Sequence, residues 1–299
     1  MSQVDNVINF FCIYLIFLTI TACNTQKSSE IDQLKNRLTL KFEDNFTSNT
    51  LDTSIWQTYS FNPRPYDKIL PRGNCNYSNA AILTDSNCII KNGILHLIAR
   101  YDSSTYSGIV EGKIGKNTGC NYIAGEPFTF NQFITSGSIF SKEGFQNGLF
   151  ECRAKIPSTS GLYPVFWLWH HDEIVVFEFF GDSNTHFISS HNKDKYVTKK
   201  FNHFDYSEDF HTYSAYWNHE KVQWFIDGKL IWEVFYTETL NTNVTIEASN
   251  TEIHNALPDT INRWLNPNLS LRIYEWANDI DITKLPDTLK IDYVHIYQN

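Results

Sequence analysis

Val165-Phe-Trp-Leu-Trp169, a polar bend at His170-His171-Asp172, and Glu173-Ile-Val-Val-Phe-Glu-Phe-Phe-Gly181 together decide the fold. Each apolar run is short, bulky and bounded by turn-type residues, which is the pattern of a buried strand rather than a helix. Two acids interrupt the second run. Carboxylates are seldom placed inside such a strand without a partner or a purpose. A regular strand would set Glu173, Val175 and Phe177 on one face and turn Glu178 to the other. A β-bulge between Val175 and Glu178 would return Glu178 to the face of Glu173. The plainer reading is an edge strand with one glutamate in solvent.

The flanking sequence repeats the strand pattern. Gly148-Leu-Phe-Glu-Cys-Arg-Ala-Lys-Ile156 alternates and stops at Pro157, and Leu289 to Tyr297 alternates over its whole length. Ile94 to Ala99 follows the turn Asn92-Gly93, and Gly137 to Phe140 precedes a turn at Lys142–Gly144. Tyr213–Trp217, Val222–Ile226 and Leu230–Trp232 read as two successive hairpins, the second closed by Asp227-Gly228. No long segment carries a 3.6-residue period. Many short strands with turn punctuation predict an all-β sandwich or jelly roll, one domain over residues 40–299.

Composition narrows the partners. The 299-residue chain has a net charge of −9 and no dense Lys/Arg block, which argues against nucleic acid. Its 15% aromatic content suits a β-rich core, or a groove lined by rings. Phe10 to Ile20 is apolar but short for a membrane span. It runs into Ile20-Thr21-Ala22-Cys23, which resembles a bacterial lipobox. Residues 1–22 then read as a lipoprotein signal peptide and Cys23 as the lipidated residue. This predicts an exported protein, lipid-anchored to the cell envelope or outer membrane. An ordinary cleaved signal or short anchor is the other reading, and Met1 to Asn9 lacks the usual basic residues. Residues 23–39 read as a polar tether, with a frayed helix at Glu30–Leu38. Cys75, Cys88, Cys120 and Cys152 fit no zinc spacing and allow three disulfide connectivities, Cys75 and Cys88 being the nearest pair in sequence.

Two carboxylates facing one cleft are the equipment of glycoside hydrolysis, and a separation of about 5–5.5 Å implies double displacement with retention. The run Gly161-Leu-Tyr-Pro-Val-Phe-Trp-Leu-Trp169 adds aromatic faces on which sugar rings stack. With Ser136-Gly137-Ser138-Ile139, Gly148 to Pro157, Gly161 to Trp167 and Glu173 to Gly181, the chain resembles glycoside hydrolase family 16. Phe42 to Phe46, Leu51-Asp52, Trp56 and Asn92-Gly93 agree upstream. Asp209 to Tyr213, Trp217, Trp224 to Gly228 and Ile291 to Tyr297 agree downstream, so the resemblance covers almost everything from residue 40 to 298.

That resemblance, to the laminarinase- and agarase-like members, implies a concanavalin A-like jelly-roll sandwich of two antiparallel sheets. The concave sheet would form a sugar-binding cleft. It also implies retaining, endo-acting hydrolysis of a β-1,3-glucan or related β-glucan or galactan. Glu173 matches the family nucleophile and Glu178 the general acid/base. Tyr163, Trp167 and Trp169 are candidate sugar-binding rings, although alternation leaves open whether Trp167 and Trp169 or Phe166 and Leu168 face the cleft. His191 is either a satisfied sheet histidine or a cleft group near Glu178. Asn87 matches a family asparagine that touches sugar hydroxyls. No cofactor is required, but the resemblance allows a structural calcium at Asn45, the Gly93 carbonyl and Asp292, with Asn45 a neutral replacement. The partner implied is a polysaccharide or oligosaccharide met by a monomer.

Two positions depart from the family pattern. Tyr163 stands where tryptophan is usual, and Val175 stands where an aspartate is usual. Valine offers neither charge nor hydrogen bond, and the drier site would raise the pKa of both glutamates. The alternative function is therefore a glycan-binding protein with a weakened hydrolase site. Substrate choice is assigned to the loops Tyr59–Ser78, Tyr101–Asn131 and Thr237–Asn262, where Arg64, Lys68, Arg72 and Arg100 read as scattered surface charge.

Overall fold

A computed structural model of the chain describes residues 29–58, 81–109, 127–192, 195–202, 204–236, 257–258, 263–273 and 280–299. Cys23, Cys75, Cys120, Arg64, Lys68 and Arg72 lie outside the described residues, as does most of the three substrate-loop segments. One helix, α1 (Glu30–Arg37), precedes the strands β1 (Thr39–Asp44), β2 (Trp56–Thr58), β3 (Ala81–Leu83), β4 (Cys88–Lys91), β5 (Ile94–Ile109) and β6 (Pro127–Ser136). Then come β7 (Ser138–Ser141), β8 (Gly148–Lys155), β9 (Leu162–Trp169), β10 (Asp172–Phe179), β11 (Thr185–Asn192) and β12 (Lys195–Asn202). The last five are β13 (His211–Trp217), β14 (Lys221–Ile226), β15 (Lys229–Phe235), β16 (Asn266–Ile273) and β17 (Asp287–Gln298).

These strands form the expected two-sheet jelly-roll sandwich. One sheet runs β12-β11-β10-β9-β16-β7-β2; the other runs β15-β14-β13-β8-β17-β5-β6-β3, with β1 on β17 and β4 on β5. Pairing is antiparallel throughout the described residues except between β3 and β6. Local chemistry sets the hairpins. Asn92-Gly93 and Asp227-Gly228 all adopt positive φ, between 49° and 74°, as a tight turn matched to strand twist requires. The core lies between the sheets. Trp56, Phe150, Phe166, Phe177, Trp217 and Leu269 are among its fully buried members. Burial of such side chains stabilises by roughly 1.5–3 kcal/mol each.

The tether begins earlier as structure than its polarity suggests. Ser29 and Asp32 form a capping box, and Ile31 and Leu34 are buried against Leu149 and Phe225. Lys35 Nζ lies 2.7 Å from Glu151 Oε2, and Gln223 donates to Glu30 Oε1 at 2.7 Å. Glu151 is itself buried in β8 and also accepts from Ser214 and Tyr293. An isolated carboxylate there would be costly, so Lys35 is part of its solvation. Residues 30–38 therefore belong to the domain, as a helix on the outer face of the larger sheet. The helix reads as polar in sequence because only Ile31 and Leu34, three residues apart, are its buried apolar anchors. Cys88 and Cys152 carry free thiols, so the Cys75–Cys88 pairing is not made. Burial pushes the Cys88 thiol up to about 12.

His186, in β11, points inward. It stacks on Phe201 at 4.7 Å and meets Tyr206 edge-on, and among the described residues neither ring nitrogen has a hydrogen-bond partner. Burial lowers its pKa to about 4. The unfolded chain therefore binds this proton first, near the ordinary 6.5, while the folded chain resists it. The His186 contribution to stability is therefore lost as pH drops from about 6.5 towards 4, by about 3 kcal/mol. Urea unfolding at pH 7 and pH 4.5 checks this. H186F should shift the difference between the two pH values by most of that amount, in favour of pH 4.5, and an unchanged difference would reject the assignment.

Candidate active site

The bulge in β10 builds the site. Against β9, Val175 pairs with Trp167 and Phe177 with Phe166, so Val176 is the extra residue. Against β11, Val175 pairs with Ser189 and Glu178 with Phe187. Ile174, Val176, Phe177 and Phe179 all enter the core between the sheets. Phe177 has thus left the face that strict alternation assigned to it, and Glu178 has joined the face of Glu173 and Val175. A bulge interrupts the ladder and leaves backbone groups to be satisfied elsewhere. Here the indole of Trp224, in the opposite sheet, donates to the Val175 carbonyl at 2.8 Å, and Trp232 stacks on Trp224 at 5.0 Å. Leaving that carbonyl unpaired would cost roughly 1–3 kcal/mol. Trp224 was legible as a strand aromatic, but its reach across the sandwich was not.

The outer face of the smaller sheet carries one apolar floor. Tyr163, Val165, Trp167 and Val175 form it, with Trp169 and Phe180 packed at its margin. Phe166 and Leu168 are in the core, which settles the alternation in β9: Trp167 and Trp169 face outward. From β16, Arg272 joins this face. Its guanidinium carbon lies 4.9 Å from the Trp167 ring centroid and its Nε donates to Ser270 Oγ at 3.0 Å. Arg272 was missed by sequence reasoning. The signal was present, since Leu269, Leu271 and Ile273 are core residues and Asn268, Ser270 and Arg272 alternate with them.

The same two forces act on both glutamates. Burial raises Glu173 to about 7 and Glu178 to about 8, and in both cases the positive charge of Arg272 opposes the rise. Both carboxyls are thereby moved toward neutral pH, where proton transfer to and from substrate is accessible. The Tyr163 hydroxyl donates to Glu178 Oε1. His191 pairs across the ladder with Glu173, not with Glu178, which lies five residues further along β10 opposite Phe187. It stacks on Tyr196 and shares a 3.0 Å hydrogen bond with Ser189 Oγ.

Other predicted positions lie elsewhere. Asn87 is only 1% exposed, and its amide is committed. Nδ2 donates to the Ile98 carbonyl at 2.6 Å and to Thr135 Oγ1 at 3.0 Å, while Oδ1 accepts from Thr84 Oγ1. It braces the β4–β5 corner rather than offering polar groups to a sugar. The calcium set also fails on chemistry. Asn45 Oδ1 shares a 2.9 Å hydrogen bond with His295, and Asp292 Oδ2 is 2.6 Å from Arg153. With its carboxylate already met by a guanidinium, this set does not fit a hard cation that wants six to eight oxygens. Gly93 serves the hairpin turn at φ 72°.

Comparison with known proteins places these features in a wider group. The family description "Glycosyl hydrolases family 16" matches residues 91–266, which include both glutamates. Glucan endo-1,3-beta-glucosidase A1 of Niallia circulans is 23% identical over 296 residues, covering 87% of this chain and 38% of that protein. Glucan endo-1,3-beta-glucosidase of Cryptopygus antarcticus is 30% identical over 128 residues, covering 37% and 46%. The chain thus spans less than half the length of these two curated relatives. The crystal structure of laminarinase from Flavobacterium sp. UMI-01 superposes with a TM-score of 0.60 at 22% identity, covering 87% of this chain and 100% of the other. That likeness establishes the sandwich fold.

Proposed function

The chain belongs to glycosyl hydrolases family 16, and from that premise we propose that it cleaves internal bonds of a β-1,3-glucan or related β-glucan with retention. The observation that carries the reading is the bulge that brings Glu173 and Glu178 to one aromatic-floored face. Ionised Glu173 attacks the anomeric carbon while Glu178 gives its proton to the departing glycosidic oxygen, whose bond to that carbon breaks. A glycosyl ester of Glu173 results. Water then attacks the same carbon, Glu178 takes its proton, and the ester bond breaks to restore Glu173. The names of the relatives from Niallia circulans and Cryptopygus antarcticus support β-1,3-glucan as the substrate. Trp167, Trp169 and Tyr163 supply stacking surfaces for successive sugars, and His191 lies beside the nucleophile.

Removal of residues 1–22 and lipidation of Cys23 would hold the enzyme at the envelope surface as a monomer. Labelling with palmitate, abolished by Cys23→Ser, tests the anchor separately.

The catalytic test uses β-1,3-glucan, mixed-linkage β-glucan, agar and carrageenan. Oligosaccharides should appear from β-1,3-glucan, with the β-anomer of the new reducing end first by NMR. The rate should trace a bell, falling below about pH 7 as Glu173 gains a proton and above about pH 8 as Glu178 loses one. No product from any polymer at high enzyme loading would overturn the reading. Calorimetric binding without turnover would then favour a glycan-binding protein, the reading that Val175 motivates.

A further inference from the structure

We propose that Tyr163 is a positioning residue for Glu178: its phenol holds one carboxyl oxygen so that the other presents the transferable proton. The inference rests on the role of Glu178 as acid/base given above. Glu178 is in register with Val165, two residues from Tyr163 on β9, so the hydrogen bond from the Tyr163 hydroxyl to Glu178 Oε1 runs diagonally across the ladder. The Tyr163 ring is buried, and Phe180 meets it edge-on at 5.1 Å. The donor is therefore held by packing. A bulged strand has lost part of the ladder that would aim its side chains, and this contact restores the aim from the neighbouring strand.

The chemistry follows from which oxygen is occupied. With the phenol donating to Oε1, the acidic proton resides on Oε2 and faces the glycosidic oxygen. When Oε2–H breaks and the leaving oxygen gains the proton, Glu178 becomes a carboxylate. The phenol hydrogen bond is then charge-assisted and stronger. Deglycosylation reverses the transfer, from water to Oε2, under the same contact. The charged and titratable groups around Glu178 are Glu173 on its own strand, Arg272 from β16 and His191 from β11 beside Glu173. Lys200 of β12 lies 5.6 Å from the Phe187 ring that pairs with Glu178. Tyr163 adds to these a directed donor, which the tryptophan usual in the family could not place as a hydroxyl.

Y163F and Y163W both keep an aromatic floor and lose the hydroxyl. In protein labelled with 13C at glutamate carboxyls, the Glu178 titration should move up by about one unit in each, because a donor to the ionised form is gone. The kcat on β-1,3-glucan should fall roughly 10–100-fold with little change in KM. Cleavage of an aryl β-glycoside should fall less than cleavage of the polymer, because its leaving group needs no proton and only the deglycosylation step still calls on Glu178. A Glu178 titration unmoved in either folded variant overturns the inference, as does an equal loss on polymer and aryl substrate. If the wild type hydrolyses nothing, the proposed function falls, and the carboxyl titration still decides whether Tyr163 governs Glu178.

Discussion

Glu173→Gln should lower hydrolysis of β-1,3-glucan by about 10³–10⁴-fold while leaving the fold and glucan binding in place. Glutamine keeps the shape of the side chain but has no carboxylate to form the glycosyl ester. The loss should be the same on polymer and on an aryl β-glycoside, because both need the nucleophile. Glu178→Gln should differ. Polymer cleavage falls, but the aryl substrate still reacts with Glu173, and a glycosyl-enzyme accumulates that mass spectrometry detects. Removing a buried acid from Glu173's strand should also not harm stability, since burial already raises its pKa to about 7. Thermal unfolding of the variants controls for this. A Glu173→Gln protein that retains a tenth of the wild-type rate would sink the assignment of nucleophile.

Val175→Asp is expected to raise activity on the acidic side and to lower stability. Val175 is 1% exposed and packs with Tyr163, Val165 and Trp167, between the two glutamates on the outer face. An aspartic acid placed there remains protonated near neutral pH, because burial and two acidic neighbours both oppose its charge. As a neutral acid it can donate a hydrogen bond to Glu173, which favours ionised Glu173. A shift of one pKa unit corresponds to 1.36 kcal/mol, so at pH 6 the rate should rise about tenfold and the acid limb should move down by about one unit. The same change inserts a polar group into an apolar floor, at a cost of about 1–3 kcal/mol in unfolding free energy. Rate–pH profiles beside urea unfolding separate the two effects. An acid limb that does not move would mean that Arg272, which already lowers both carboxyls, does the work that an acid at 175 does elsewhere. Turnover gained from a wild type that has none would identify the native chain as a binder.

The residues that depend on local pattern were legible. Short alternating runs, Asn92-Gly93 and Asp227-Gly228 placed most strands and two of the hairpin turns, because strand period and positive-φ turns are properties of neighbouring residues. The bulge between Val175 and Glu178 was legible for the same reason: two acids destined for one face cannot share it at odd spacing without an extra residue. Asn87 misled because its match to a sugar-binding asparagine carries no information about what surrounds it. Its amide is consumed by Ile98, Thr135 and Thr84.

Sequence alone determined the sandwich class, the strand that holds the acids and the need for a bulge within it, since these follow from periodicity over a few residues. Only the tertiary structure decided which rings face outward, that Trp224 secures the bulge from the opposite sheet, that α1 docks on the larger sheet, and that Tyr163 and Arg272 surround the carboxyls. Those facts join residues 49, 109 and 116 positions apart, such as Trp224 with Val175 and Lys35 with Glu151, or, for Arg272 with Tyr163, partners in register across β16 and β9. Contacts of that span depend on how sheets stack and register, and no local preference of the chain encodes them.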